Sequence, residues 1–347
     1  MSLLDIAPII EQMLLVSENV SDLNFSCGQK PQVEINGVLY PASPIGLGKL
    51  SAFQTEMIAM SLVRDNPDAA AHLVKYRTAD LSYALPGKCR FRVNIFQQRN
   101  SYSIVMRVIP HEIPSFEALK LPQQLAEIAD IRNGVVLLTG PTGSGKSSTL
   151  AAIIDRINET KAYHIVTIED PIEFLHTHKK STINQREVGA DTKDFASALR
   201  AALRQAPKVI LVGEMRDLET AEIALEAAET GHLVLSTLHT IDASKTIDRI
   251  VGLYPKNEER IIRTRLAQTF RYIVSQRLIP TADGRGRIAA VEILKSNPRT
   301  REYIEKGETE GKSLLDAIRD GEIDGMQDFD TVIRHMIESK QITMEDG

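Results

Sequence analysis

The stretch that most constrains this chain is residues 140–147, GPTGSGKS, which match the phosphate-binding loop pattern in full. An apolar run at 135–138 precedes it and predicts a strand, and an apolar stripe over 150–157 follows it and predicts a helix. Such a loop needs glycines because backbone N–H groups must wrap phosphates at the N-terminus of a helix. It also needs a lysine for the β- and γ-phosphate oxygens and a hydroxyl for Mg²⁺. These residues therefore predict a nucleoside triphosphate site.

The loop supplies the predicted cofactor-binding residues. Lys146 is expected to contact the β- and γ-phosphates, and Ser147 is expected to hold Mg²⁺ together with the phosphates. The predicted cofactors are accordingly ATP and Mg²⁺. The residues assigned to nucleotide binding are Gly140, Pro141, Thr142, Gly143, Ser144, Gly145, Lys146, Ser147 and Ser148.

The chain around this loop predicts an α/β fold. Strand-like apolar runs alternate with helical patterns, which favours a parallel sheet covered by helices on both faces. These runs lie at 135–138, 164–168, 208–213 and 233–238. The tail from about residue 256 is expected to be mostly helical. Closely spaced prolines at 110, 114 and 122 mark an extended connection, so the predicted domains are 1–109 and 123–347, joined by a linker at 110–122.

The first hundred residues predict a mixed α/β module. QVEINGVLYP predicts a hairpin across Asn36-Gly37, and a helix is expected over 50–63. Apolar and polar residues alternate over 90–95, and a second strand is expected over 102–109. With a turn at Arg99-Asn100, the apolar pairs of the two strands share one face. The pairs are Phe91 with Val108, Val93 with Met106 and Ile95 with Ile104.

The same register places Arg92 directly opposite Arg107. Like charges in a cross-strand pair are destabilising, so the pair suggests an anion or a carboxylate surface facing it. A solvated basic face is the alternative, and the sequence leaves both open.

Acidic residues that follow strands are the candidates for hydrolysis. A bound nucleotide is hydrolysed when a group orients water at the γ-phosphate, and parallel sheets bind ligands at the carboxyl ends of their strands. Glu214 ends one apolar run, and Glu169, Asp170 and Glu173 end another. Each could also be an acid at the start of a helix.

Two histidines flank the apolar run at 233–238. A six-residue strand would separate His232 from His239 by roughly 20 Å, too far for a shared metal ion. His239 follows the strand and is expected at the ligand edge of the sheet, whereas His232 begins it at the far end. Each could instead be a cap or core residue.

Composition excludes several classes of protein. Charged residues make up 25% and hydrophobic residues 43% of the 347 residues, which is ordinary for a globular protein, and no apolar stretch reaches membrane-spanning length. The first twenty residues have no basic leader and predict an amphipathic helix, so we expect a cytoplasmic protein. The two cysteines, Cys27 and Cys89, are too few for a four-cysteine zinc site. The formal charge of −5 predicts no general attraction to nucleic acid.

Four segments of the chain form a recognisable combination: GPTGSGKSSTL, TIEDPIEF, VGEMRDLETAEIALEAAETGHL and STLHT. Together they resemble the bacterial secretion ATPase superfamily, and within it the type IV pilus retraction ATPases of the PilT and PilU kind. SDLNFSCGQKPQVEINGVL and RFRVNIFQQR resemble the N-terminal domain of that family, and NQREVG, KTIDRIVGLYP and GMQDFD continue the match. The resemblance therefore covers nearly the whole chain.

The resemblance implies a PAS-like N-terminal domain, a RecA-like ATPase domain with a helical tail, and a homohexameric motor that retracts type IV pili for twitching motility. It assigns Glu214 to the Walker B motif as the catalytic glutamate, Glu169 and Glu173 to the Asp box, and His232 and His239 to the His box. It matches Arg92 and Arg107 to arginines that the N-terminal domain offers to a nucleotide in the next domain or subunit. The implied partners are an inner-membrane platform protein and a paralogous pilus ATPase, at the cytoplasmic face of the inner membrane, with only peripheral membrane contact.

Three alternatives stay open. A pilus-extension or type II secretion ATPase shares the motor, but usually has a longer N-terminal region and a four-cysteine zinc module. An accessory ring with little turnover is the second, and the segment RQAPK before the strand at 208–213 resembles the PilU branch. A DNA-translocating motor is the third, which the acidic net charge disfavours.

Overall fold

The computed structural model describes residues 5–35, 37–42, 46–109, 112–284 and 286–347. The chain forms two compact units, Met1–Glu112 and Ile113–Gly347. The predicted linker at 110–122 begins with two residues that lie outside the described part, and its bounds stay a prediction.

The first unit is a six-stranded antiparallel sheet with helices against one face. Its helices are α1 (Ala7–Leu14), α2 (Ala52–Val63) and α3 (Pro67–Tyr76). Its strands are β1 (Val20–Ser26), β2 (Gln32–Ile35), β3 (Val38–Pro41), β4 (Thr78–Leu85), β5 (Cys89–Gln98) and β6 (Ser101–Ile109). Their order in the sheet is β3-β2-β1-β6-β5-β4. Apolar side chains of alternate strand positions pack against the helices, which leaves the opposite face polar.

The predicted β5–β6 hairpin is confirmed residue by residue. Phe91 pairs with Val108 and Arg92 pairs with Arg107. At the turn, Arg99 and Asn100 have φ of 45° and 58°, the left-handed pair that suits the twist of a two-residue hairpin. The other predicted hairpin joins β2 to β3, although Asn36 of its turn lies outside the described residues.

The second unit is a seven-stranded sheet between two layers of helices. Its strands are β7 (Gly134–Thr139), β8 (His164–Glu169), β9 (Thr182–Glu187), β10 (Val209–Val212), β11 (Leu233–Leu238), β12 (Phe270–Pro280) and β13 (Arg287–Lys295). Its α-helices are α4 (Lys146–Thr160), α5 (Phe195–Ala202), α6 (Leu218–Glu229), α7 (Ala243–Val251), α8 (Glu259–Thr269), α9 (Pro298–Lys306), α10 (Leu314–Asp320) and α11 (Phe329–Glu338). Its short 3₁₀ helices are Gln123–Asp130, Lys256–Glu258 and Glu322–Asp324.

The strands of this sheet run in the order β13-β12-β7-β11-β10-β8-β9, and all neighbours are parallel except β12 and β13. Buried apolar residues form one cluster on each face. The predicted fold class, a mixed α/β chain with a parallel sheet covered on both faces, is confirmed.

The prediction of a mostly helical region from about residue 256 is wrong over β12 and β13. Both faces of these strands are covered, although β13 lies at the edge of the sheet, so their apolar residues run almost continuously and lose the alternation that marks a half-buried strand. The sequence analysis also missed β9, whose polar sequence TINQRE lies at the edge of the sheet.

Candidate functional site

The loop at 140–148 joins β7 to α4 and has the backbone that its glycines predict. Gly140, Gly143 and Gly145 have φ of 142°, 79° and 86°, which residues with a Cβ rarely adopt. A Cβ on Gly140 would also lie 2.3 Å from the backbone oxygen of Gln276. The loop therefore depends on glycine both for its conformation and for its close approach to β12.

Lys146 starts α4 and is buried within the loop. Its Nζ donates hydrogen bonds to the backbone oxygens of Gly140 and Pro141, at 2.8 and 2.9 Å. Burial lowers the pKa of Lys146, whereas the negative charges of Glu173 and Glu214 favour its protonated form. The ammonium group thus sits among neutral carbonyls with two carboxylates nearby.

The residues of the phosphate-binding loop fit a nucleoside triphosphate with Mg²⁺. The lysine has only neutral acceptors within the loop, and the Oγ of Ser144 is buried without a hydrogen-bond partner in the described part of the chain. The long helix α4 points its N-terminus at the loop, and Ser147 places a hydroxyl in its first turn. A helix N-terminus, loop amides and a buried lysine together favour phosphate oxygens.

The strand order brings the other predicted groups to the same edge. The carboxyl ends of β7, β11, β10 and β8 lie side by side, and they lead into the loop, His239, Glu214 and Glu169 respectively. This edge is where a parallel sheet binds its ligand.

Glu214 is the most enclosed acid at this edge that also faces a cation. Its Oε2 lies 2.5 Å from Nε of Arg216 and 3.6 Å from Nε2 of His239, and its side chain is 12% exposed. Thr237 on β11 fixes the spacing between β11 and the end of β10, because its Oγ1 donates to the backbone oxygen of Gly213 at 2.6 Å. The structure thus brings Glu214 and His239 together, and it adds Arg216, which the sequence analysis missed.

The two acids of the TIEDPIEF segment have different surroundings. Glu169 is packed at the end of β8, where its Oε1 accepts hydrogen bonds from Thr167 at 2.6 Å and Gln185 at 3.1 Å. Burial raises the pKa of Glu169 against the effect of those donors. Glu173 is exposed, and its charge acts on Lys146. Of the two acids, Glu173 is therefore the one whose charge acts on the loop lysine. Glu169 instead holds the end of β8 in place through its hydrogen bonds.

His232 lies at the opposite edge of the sheet, at the start of β11. Its Nδ1 lies 2.9 Å from the backbone oxygen of Ala227, the last turn of α6. Within the described chain the structure therefore does not bring His232 to Glu214, and its contacts are those of a cap at the end of a helix.

Arg92 and Arg107 lie side by side on the polar face of the first unit. Nε of Arg107 donates to Oδ1 of Asp22 at 3.0 Å, and Asp22, on β1, is paired with Arg107 in register and buried. The carboxylate expected from the like-charge pair is therefore present, but it faces only Arg107. Arg92 is exposed.

Gln276 of β12 is a residue that the sequence analysis missed. Its side chain is buried and hydrogen-bonds both Ser144 of the loop and Thr149 of α4. The signal for it was a polar pair, Ser275-Gln276, inside the apolar run FRYIVSQRLIP, where a buried amide must find partners.

The described residues contain neither a cluster of metal ligands nor a membrane-spanning helix. Among them, His, Cys, Asp and Glu form no group of three or more that could hold a metal ion. Across the same ranges, every helix is too short or too polar to cross a membrane.

The chain is similar to known proteins over most of its length. Residues 78–314 match the family model described as type II/IV secretion system protein. The type IV pilus retraction ATPase PilT of Pseudomonas aeruginosa is 42% identical over 330 residues, which cover 95% of this chain and 94% of that protein. A twitching motility protein of Neisseria gonorrhoeae is 44% identical over 91% of this chain and 82% of its own length.

A solved structure is also similar over nearly the whole chain. The crystal structure of the pilus retraction motor PilT with bound ADP superimposes with a TM-score of 0.88 at 42% identity, and the match covers 99% of this chain and 96% of that one.

Proposed function

The chain belongs to the family of type II/IV secretion system proteins, and from this membership we propose that it is an ATP-hydrolysing motor that powers retraction of type IV pili, and hence twitching motility. The observation that carries the proposal is the full-length similarity to the retraction motor PilT, including the solved structure with ADP. The complete phosphate-binding loop, at the same sheet edge as Glu214 and His239, supports ATP as the substrate that the motor hydrolyses.

Each group at the carboxyl edge of the sheet has a separate role in hydrolysis. The loop amides and Lys146 hold the phosphates, and Ser147 holds Mg²⁺. When bound, ATP and Mg²⁺ supply the γ-phosphoryl group that is transferred and the divalent charge that neutralises it. Glu214 polarises the attacking water, because it is a carboxylate that follows β10 at the same sheet edge as the loop and its charge acts on Lys146. The charge of Glu173 also acts on Lys146.

Arg216 and His239 act on Glu214. The Arg216 guanidinium lies against one carboxylate oxygen and His239 lies 3.6 Å from the same atom, so the pair fixes the orientation of the carboxylate. His239 is on the segment after β11, where it can respond to the γ-phosphate.

The motor works as a ring of six copies docked on an inner-membrane platform protein at the cytoplasmic face, with a paralogous pilus ATPase as a further partner. Arg92 and Arg107 of one subunit neutralise charge on a nucleotide held by a neighbour. Arg92 is the stronger candidate of the two, because Asp22 already pairs with Arg107.

The test of ATP hydrolysis is phosphate release by the purified chain with ATP and Mg²⁺. Glu214→Gln should bind ATP with near-normal affinity and hydrolyse it about 10²-fold or more slowly, because the amide cannot polarise water. Glu219→Gln is the matched control, since Glu219 is an exposed acid in the first turn of α6 and pairs with Arg200. Near-normal turnover in Glu214→Gln would reject the assignment of Glu214.

The same variant tests pilus retraction in the source organism. Deleting the gene should leave excess, immobile pili and abolish surface motility. The wild-type gene should restore motility, and the Glu214→Gln gene should not. Normal pilus numbers and motility in the deletion strain would contradict a role in retraction, even if the purified chain is an active ATPase.

A further inference from the structure

Gln276 connects β12 to the phosphate-binding loop by two side-chain hydrogen bonds. Its Nε2 donates to the backbone oxygen of Ser144 at 2.7 Å, and its Oε1 accepts from Oγ1 of Thr149 at 2.8 Å. Gln276 is 2% exposed and Thr149 is 1% exposed. The amide therefore uses both of its ends in a site from which water is excluded.

The glycines of the loop make room for this amide. A Cβ on Gly145 would lie 2.8 Å from Nε2 of Gln276, and a Cβ on Gly140 would lie 2.3 Å from its backbone oxygen. The loop thus rests against one residue of β12 at both its first and its last glycine. Two of the glycines of the pattern are constrained by β12 in addition to their role near phosphate.

The contact with Ser144 fixes the direction of a loop amide. Because a trans peptide is planar, its C=O and N–H groups point in opposite directions. The bond from Gln276 to the oxygen of Ser144 therefore sets the direction of the N–H of Gly145, which belongs to the same peptide group. Loop N–H groups bind phosphate only when they converge on it.

We propose that Gln276 is a positioning residue for the nucleotide, which holds the phosphate-binding loop in its binding conformation from β12 without touching the phosphates. This inference rests on the proposed nucleotide-binding function. The bond to Thr149 keeps the amide oriented so that its donor faces Ser144, and α4 is held by the same side chain. Loss of Gln276 should weaken nucleotide binding more than it slows hydrolysis at saturation.

The experiment compares Gln276→Met with Gln327→Met in the full chain. Gln327 is the matched control because its Nε2 also donates to a backbone oxygen, that of Val291 on β13, at 2.6 Å, and it does not contact the loop. Affinity for ADP and for ATP is measured by calorimetry, together with kcat and the thermal midpoint of each variant. Methionine fills a similar volume and removes both polar groups.

We expect Gln276→Met to bind both nucleotides about tenfold more weakly, which corresponds to about 1.4 kcal/mol, with kcat within about threefold of wild type. Gln327→Met should lower the thermal midpoint but leave the dissociation constants unchanged. A purely structural role for Gln276 would lower the thermal midpoint in the same way and leave nucleotide affinity unaltered.

Variants of Thr149 examine the same contact from its other end, and they serve if Gln276→Met does not fold. Thr149→Val should weaken nucleotide binding, and Thr149→Ser, which keeps the hydroxyl, should restore it. Wild-type affinity in Gln276→Met, or equal losses in Gln276→Met and Gln327→Met, would overturn the inference alone. Absence of nucleotide binding by the wild-type chain would overturn both the inference and the proposed function.

Discussion

At the scale of single residues, two carboxyl groups of the second unit accept hydrogen bonds that hold neighbouring segments in place. Glu169 is surrounded by hydroxyl and amide donors that hold the segment beside the loop. Glu292, on β13, accepts hydrogen bonds at one oxygen from the backbone N–H of Ala243 and from Ser275. Glu292 thereby ties β12 and β13 to the start of α7, which follows His239 in the chain.

Burial raises the pKa of Glu292 above its usual value of 4.5, with a further contribution from Asp242, and Arg277 opposes the shift. When the pKa of a carboxyl group is higher in the folded chain, its contribution to stability is fully present below its unfolded pKa. That contribution is lost as the pH rises through the folded pKa. Glu292→Gln keeps the acceptor oxygen and does not ionise, so it should raise the thermal midpoint by a few degrees at pH 8.

The difference should shrink steadily as the pH falls towards 4, where Glu292 becomes mostly protonated in both states. Thermal unfolding of both proteins between pH 4 and pH 8 measures it, with exposed Glu310→Gln as the control. A midpoint difference that stays constant over this range would contradict the role of ionisation.

At the scale of secondary-structure elements, helix ends show how local backbone conformation decides the effect of a substitution. Arg77 follows α3 in the left-handed conformation, with φ of 62°, and its N–H donates to the oxygen of Leu73. Arg64 follows α2 with φ of −51°, in the ordinary helical region. The same residue type therefore sits in a strained position at one helix end and in a relaxed position at the other.

Arg77→Gly should increase the free energy of unfolding by about 0.5–1 kcal/mol, because glycine relieves the left-handed strain and this gain exceeds its greater freedom in the unfolded chain. Arg64→Gly should decrease it by a similar amount, since it adds that freedom without relieving strain and removes only an exposed ion pair with Asp65. Urea unfolding followed by circular dichroism measures both, as the chain has no tryptophan. Equal changes in the two variants would refute the explanation by backbone conformation.

The sequence predicted those elements whose signal is local. The loop at 140–148 is set by its glycines, and the β5–β6 register follows from alternating side chains and a two-residue turn. β12 and β13 were assigned wrongly because burial on both faces removes alternation. The polar pair at 275–276 signals a buried amide, but the partners of Gln276 could not be predicted, because they lie more than 120 residues away in the chain and only the sheet order joins them.

At the scale of the whole molecule, the proposed ring requires that subunits contribute to one another's sites. The polar face of the first unit carries Arg92 without the buried carboxylate that neutralises Arg107. An exposed guanidinium on a sheet suits recognition of an anion from another subunit.

Arg92→Ala should lower turnover of assembled rings by about 10²-fold or more while leaving nucleotide affinity near normal, because the arginine acts on the charge that develops during transfer. Mixing Arg92→Ala subunits with Glu214→Gln subunits should restore some activity, since an Arg92 from one protein can meet an intact site of the other. Arg99→Ala, at the turn of the same hairpin, is the control. Activity that is the same in every mixture would contradict a contribution between subunits.

The neighbours Ser275 and Gln276 point to opposite faces of one strand, Ser275 towards Glu292 and Gln276 towards the loop. Side chains along a strand alternate with a period of two, so inserting or deleting a single residue just upstream would turn both over at once. An insertion would put the hydroxyl of Ser275, which is too short to reach the loop, at the position that faces the loop. A deletion would put the bulky amide of Gln276 at the position opposite Glu292. We therefore expect relatives of this chain to vary in amino-acid type along β12 far more readily than in the number of residues that precede Ser275.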